Sequence, residues 1–257
     1  MKKGVFITLL TTTAMSMAAQ DFTLKGHFTD VKNDTILISY TQREPDRKNI
    51  EAKAPIDANG CFSYSCDIKY AYNASLMVQS NGAESLIFFV PGESLAITGP
   101  SVSDNSWTVN GSAFYQKWRE AREIFLPFYK EFDESTAKYN KGIAEGLDEK
   151  TLKEERNNAN QDINQRMWKV AQQYIMSHLD DEVAATFLLR QNYTDIAPTI
   201  QKLSPDVRNG RFKVYIDGLE SMFSRLSKEI QASQSSSLEL QEGKQAPDLT
   251  LKDINGN

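Results

Sequence analysis

The amino-acid sequence predicts an α+β protein, an antiparallel β-sandwich or open barrel followed by an all-helical region, and three observations carry that prediction. Across residues 20–111, apolar and polar side chains alternate in short runs broken about every ten residues by Gly, Asn, Asp or Pro, the pattern of strands with one buried face. At Ser112 the apolar period changes from two to about 3.6, the repeat of an amphipathic helix, and it stays there to Ile230. With 40% hydrophobic and 10% aromatic residues, the 257-residue chain can fill one large core or two ordinary ones.

Residues 1–19 read as a secretory signal peptide. Lys2 and Lys3 precede an apolar run over residues 4–10, and small residues stand at Ser16 and Ala18, where a signal peptidase would cut after Ala18 or Ala19. The run is too short to span a membrane, and no Cys follows it to take a lipid. The expected compartment is a periplasm.

The β domain, residues 20–111, begins with the alternation of Phe22, Leu24, Gly26 and Phe28, followed by a β-branched run over 35–40. Residues 54–56 run through Asp57-Ala-Asn-Gly60 into 61–66 and read as a hairpin. Strands at 74–79 and 85–90 flank Ser80-Asn-Gly82; 94–98 follows Pro91-Gly92, and 107–109 closes a set of seven or eight.

The helical region, residues 112–231, opens with Ser112 as N-cap and a seam of Phe114, Trp118, Ala121, Phe125, Phe128 and Phe132. Pro127 predicts a kink in that helix between 123 and 127. Gly142 and Gly146 bracket a turn. Asp148 then caps a second long helix with Ala159, Ile163, Met167, Val170 and Tyr174 on its seam, ending near His178. Short helices follow at 180–190 and from Asp195. Ser204-Pro205-Asp206 is an N-terminal signature, and Phe212, Ile216, Leu219, Phe223, Leu226 and Ile230 mark the last long helix. Residues 232–242 read as a polar, flexible linker, and 243–257 as the start of a further fold. In that tail Leu249-Thr-Leu251 alternates like a strand and Asn255-Gly256 is a hairpin turn, so a returning strand is expected beyond it.

Gly243, Ala246-Pro247-Asp248, Leu251, Asp253 and Asn255-Gly256 resemble the opening motif of thioredoxin-like proteins of the TlpA/ResA and AhpC/TSA kind, with Leu249 where that motif has Phe and Asn257 where it has Lys. Upstream, an early Phe-x-Leu-x-Gly, Asp57-Ala-Asn-Gly-Cys-Phe62, the Pro91 to Ile97 segment and Val109-Asn-Gly-Ser112 resemble the uncharacterised β domain that often precedes a thioredoxin-like domain in bacterial envelope proteins. The resemblance implies the non-catalytic N-terminal module of a periplasmic thiol-disulfide oxidoreductase, truncated at the first strand of an unfinished thioredoxin-like domain. Its redox-active Cys-x-x-Cys would lie beyond residue 257.

The residues present assign no catalytic, cofactor-binding or metal-binding side chain. Cys61 and Cys66, if on one strand, sit on opposite faces about 16 Å apart, and a disulfide needs Cα atoms within about 7 Å. His27 and His178 are far apart in sequence, with no acid or thiol cluster at ligand spacing. Asp180-Asp181 and Glu154-Glu155 fall at helix starts or on solvated faces. The aromatic run from Phe114 to Phe132 reads either as a packed seam or as a groove for an unfolded substrate or partner helix. A formal charge of −5, about −7 without Lys2 and Lys3, argues against nucleic acid and anionic membranes as partners. No other stretch is long and apolar enough to span a bilayer. The expected partners are client or redox-partner proteins, with homo-oligomerisation through the helical region. The alternative is a stand-alone envelope binding protein whose β domain takes a peptide or glycan.

Intact-mass measurement of protein recovered from the periplasm checks the leader. The expected first residue is Ala19 or Gln20, and a species that retains Met1 or carries a lipid refutes it.

Overall fold

Among the described residues eight strands form, and they divide equally between two sheets. The structure, a computed structural model, describes residues 20–102 and 107–238; the leader 1–19, residues 239–242 of the expected linker and the tail 243–257 lie outside the described residues. One sheet holds β1 (Gln20–Phe28), β4 (Cys61–Ile68), β7 (Ser94–Gly99) and β8 (Thr108–Gly111), in the order β4-β1-β7-β8. The other holds β2 (Asp34–Gln42), β3 (Lys48–Ile56), β5 (Tyr72–Val78) and β6 (Glu84–Phe89), in the order β3-β2-β5-β6. Among the described residues the end strands of both sheets pair on one side only, so no barrel closes. The chain forms two units, one up to Arg119 and one from Glu120.

Two expectations for the β unit are corrected. The sheets are not wholly antiparallel, because β1 and β7 run parallel, with Leu24 opposite Leu95. Nor do residues 54–66 form a hairpin: β3 and β4 belong to different sheets, and 57–60 is the corner between them. That corner is tied to its surroundings instead. Asp57 Oδ1 accepts the N–H groups of Asn59 and Cys61, each at 2.8 Å, and the Gly60 carbonyl accepts the Phe28 N–H at 2.9 Å. Gly60 has φ +83°, and a Cβ there would lie 1.9 Å from the Phe28 carbonyl oxygen. Turning the corner lets β4 lay Phe62 across Gly26, where the absent side chain leaves room for the ring.

Aromatic rings fill the space between the sheets. Phe22 of β1 stacks on Phe89 of β6 at 4.3 Å, and Phe89 also meets Tyr40 and Tyr64 at 5.7 and 5.8 Å. Leu24, Ile36, Ile38, Leu76 and Ile87 complete a dry interior. Tyr115, on the first turn of α1 (Ala113–Glu123), is fully buried and donates its hydroxyl hydrogen to the Phe88 carbonyl at 2.5 Å. Ser112 is committed to β7 as well as to the helix. Its carbonyl accepts the Gln116 N–H, while its hydroxyl accepts the Ser94 N–H at 3.0 Å and bonds the Glu93 carboxylate.

The aromatic seam expected over 114–132 is not one helix. The chain breaks at Ile124 and Phe125 between α1 and α2 (Leu126–Ala144), a stronger interruption than a kink. Pro127 falls in the first turn of α2, where a missing N–H leaves no ladder bond unmade. Phe125 turns inward and stacks on Phe187 at 4.7 Å, so the ring that would continue the seam anchors the break. α3 (Glu149–Ser177) begins as expected, with Asp148 accepting the Thr151 N–H at 2.8 Å. Its buried residues are Leu152, Ile163, Met167, Ala171 and Ile175, a ridge at spacing four over its second half. Ala159 is exposed, and Val170 and Tyr174 only half-buried, so the expected 4–3 seam is corrected there.

α2 and α3 form an antiparallel hairpin, Gly142 against Leu152, with Lys138 paired to Glu155 at 2.8 Å and Arg166 to Glu131 and Asp162. A 3₁₀ helix (Glu182–Arg190), α4 (Tyr193–Ile200) and α5 (Pro205–Asn209) follow, with Ser204 capping α5 through the Val207 N–H at 3.3 Å. α6 (Lys213–Leu238) buries Phe212 just before its start and then Ile216, Leu219 and Phe223. It continues through residues 232–238, expected as linker. That stretch holds neither Gly nor Pro, and adding residues to a formed helix has no nucleation cost. Among the described residues, no helix is long and apolar enough to cross a membrane.

Two glycines with the same backbone constraint separate strain from crowding. Gly82 has φ +67° and open space around its Cβ position, so Gly82→Ala is expected to cost about 1 kcal/mol. Gly60→Ala adds the collision with Phe28 and is expected to cost about 3 kcal/mol. Urea unfolding of both variants checks the difference; equal costs would remove the corner's steric role.

Candidate functional site

Strand alternation sends Leu37 and Ser39 of β2, Glu51 and Lys53 of β3, Ser75 and Met77 of β5, and Glu84 and Leu86 of β6 to the face of their sheet opposite the core. The register aligns them in two rows across the strands. One reads Lys53, Leu37, Met77, Glu84, and the next Glu51, Ser39, Ser75, Leu86. Their β3, β2 and β5 members line a groove of about 640 Å³, within the range of ligand-binding clefts. Leu37 and Met77 make its apolar floor, Glu51 and Lys53 one charged wall, and Ser75 bonds Glu84 at 2.5 Å toward the far side. Such a surface can hold an extended, amphipathic segment.

At one end of the sandwich the second half of β4 brings Cys66 beside Tyr40 and Tyr64. Burial pushes the Cys66 thiol up from its ordinary value; the two phenol hydroxyls offset part of that, and Asp67 and Asp21 add to it. Burial raises Tyr40 and Tyr64 as well. The three groups stay protonated near neutral pH. A thiol held in that form is a poor nucleophile.

Cys61 is exposed at the start of β4, opposite His27, while Cys66 is half-buried and opposite Phe22. Both are free, and their side chains leave opposite faces of the strand. The register thus keeps them apart as the five-residue offset predicts. His27 is exposed in the β unit. His178 ends α3 in the helical unit, stacked on Tyr174 at 4.3 Å with Nδ1 2.8 Å from the Tyr174 carbonyl oxygen. Burial, with Asp181 and Glu120 nearby, pushes Tyr174 up to about 12. Among the described residues no three His, Cys, Asp or Glu side chains gather where they could hold a metal ion.

The acidic pairs serve the helices. Asp181 caps the 3₁₀ helix through the Val183 N–H at 3.0 Å, and Glu155 pairs with Lys138. Of the aromatic run, Phe114, Phe125 and Phe128 are buried, as core residues are, while Trp118 and Phe132 are half-buried. No exposed aromatic strip runs along it. The sequence alone does not show the groove, because it exists only once β3, β2 and β5 are set side by side. The available signal was Leu37 and Met77, apolar residues at positions that alternation assigns to the outward face.

No protein-family model and no curated protein matches the chain. Among solved structures, similar segments occur in the membrane-binding domain of pneumolysin (14% identity over 37% of this chain and 96% of that one, TM-score 0.19) and in the human-specific toxin intermedilysin (11%, 37% and 23%, TM-score 0.19). A structure described as "Trapped Toxin" gives 9% identity over 37% of this chain and 23% of that one, TM-score 0.20. The chain therefore spans under a quarter of the length of the latter two. TM-scores this low do not establish a shared fold.

The raised Cys66 thiol has two measurable consequences. Iodoacetamide at mildly alkaline pH is expected to label Cys61 readily and Cys66 more slowly, with the difference lost on unfolding, as read by peptide mass mapping; equal labelling of the folded protein refutes the raised thiol. The thiol's contribution to stability is whole below the ordinary value of 9.0 and is lost as pH rises from there through the raised folded value, because the unfolded thiol ionises first. Cys66→Ala is expected to shrink the alkaline loss of stability in urea titrations across that window.

Proposed function

We propose that the chain is the non-catalytic N-terminal module of a periplasmic thiol-disulfide oxidoreductase of the thioredoxin-like kind, acting on client or redox-partner proteins through a Cys-x-x-Cys supplied beyond residue 257. The observation that carries this reading is the motif Gly243, Ala246-Pro247-Asp248, Leu251, Asp253, Asn255-Gly256 at the spacing of a thioredoxin-like opening. The thiols of the β unit support the division of labour. One is exposed, the other protonated and half-buried, and they leave opposite faces of β4. A disulfide-exchanging pair needs a low-pKa thiolate with a resolving thiol in reach. In this reading the β unit and the helices position the redox domain and hold its clients.

The groove on the β3-β2-β5-β6 sheet favours a second reading, in which the β unit binds an extended peptide in its own right, as a stand-alone envelope protein.

Reading the gene past codon 257 and assaying insulin reduction separate the two. The 257-residue chain is expected to show no turnover, and the longer product turnover that disappears when the downstream cysteines become Ser. A stop codon directly after Asn257, or a continuing frame without a cysteine pair, overturns the oxidoreductase reading. Turnover by the 257-residue chain that vanishes in Cys61→Ser or Cys66→Ser overturns the division of labour.

A further inference from the structure

We propose that β3 is the interface between two copies of this chain, which pair antiparallel about a two-fold axis at Ala52 and fuse their sheets edge to edge. β3 is nine residues long and ends its sheet, with β2 as its single strand neighbour among the described residues.

Pro55 settles which of its backbone groups face outward. It stands opposite Thr35 and has no N–H, so that pair is of the non-bonded kind. Bonded and non-bonded pairs alternate, so Ile50, Ala52, Ala54 and Ile56 exchange hydrogen bonds with β2, while Asn49, Glu51 and Lys53 point their N–H and C=O groups away from it. Among the described residues those outward groups have no partner.

The side chains then select both the occupant and the register. Glu51 and Lys53 are exposed and carry opposite charges two residues apart around Ala52, and neither has an ion-pair partner among the described residues. A two-fold axis at Ala52 sets Glu51 opposite the partner's Lys53 and Lys53 opposite the partner's Glu51. Each pair exchanges two backbone hydrogen bonds and joins unlike charges on the same face. In the same register Asn49 meets the partner's Pro55, a position that lacks only the proline N–H. Moving the axis to Glu51 or to Lys53 would place like charges directly opposite, which is destabilising. Charges on an edge strand ordinarily discourage pairing with another strand; here the two charges are complementary to those of a second copy when the axis lies at Ala52. The other sheet ends offer no such code: β4 carries Asp67 alone, β6 Glu84 alone, and β8 is four uncharged residues. Pairing would bring the two grooves together at the Glu51 and Lys53 walls, giving one surface with two equivalent halves.

Sedimentation equilibrium on the purified protein tests the interface. The unaltered chain is expected to dimerise. Glu51→Lys or Lys53→Glu alone, which sets like charges face to face twice per dimer, is expected to weaken dimerisation about tenfold or more, and the double exchange to restore it to within about threefold. Rescue by the double variant separates a lost contact from a lost fold. Hydrogen exchange reads the same interface without substitution, since the Glu51 and Lys53 amides should gain protection as concentration rises. A chain that stays monomeric, or a dimer indifferent to either reversal, overturns the proposal.

Discussion

The contact between Phe22 and Phe89 is the constraint on which the β unit depends, because it is where two separately hydrogen-bonded sheets become one core. Each sheet pairs its inner strands by itself, but neither can bury its apolar face alone. Phe89 is shared by Phe22, Tyr40 and Tyr64, and the fully buried Tyr115 bonds the carbonyl of the residue before it. The path of the chain answers the same demand. It leaves β1 for the second sheet, returns through the Gly60 corner to flank β1 with β4, crosses again, and comes back beside β1 as β7, now parallel to it.

Closing that core determines what lies outside it. Once Ile36, Ile38, Leu76 and Ile87 face inward, the period of two forces Leu37, Met77 and Leu86 outward, so an apolar floor on the solvent side is the complement of the packing. The same rule divides β4, with Phe62, Tyr64, Cys66 and Ile68 toward the core and Cys61 away from it. The fold therefore keeps its two thiols chemically unlike. One is a solvent-exposed group and the other a protonated neighbour of two phenols.

The helical unit is organised around Phe125 and Phe187 in a comparable way. Their stack at 4.7 Å, with Tyr174 edge-on to Phe187 at 5.4 Å, joins the α1–α2 break, the last turns of α3 and the 3₁₀ helix. Polar contacts then tie the remaining pieces. Thr199 donates to Gln191 at 3.0 Å in a buried setting, and Arg211 pairs with Glu182 across the turn into α6. Toward the α2–α3 tip the hairpin is held mainly by Leu152 against Gly142 and by exposed ion pairs, each of which contributes little by itself.

What the sequence determined by itself is what depends on neighbours along the chain. The alternating runs, read as seven or eight strands, became strands, Asp148 and Ser204 cap the helices they were expected to cap, and the offset from Cys61 to Cys66 separates the thiols. Only the tertiary structure decided which strands pair, that 54–66 is a corner between sheets, that β1 and β7 run parallel, that Phe125 leaves its helix for Phe187, and that the outward residues of β2, β3 and β5 line one groove. The reason is the range of the forces involved. Period, caps and proline act within a turn or two, whereas pairing and register are set by which apolar faces can be buried together, between residues as distant in sequence as Phe22 and Phe89.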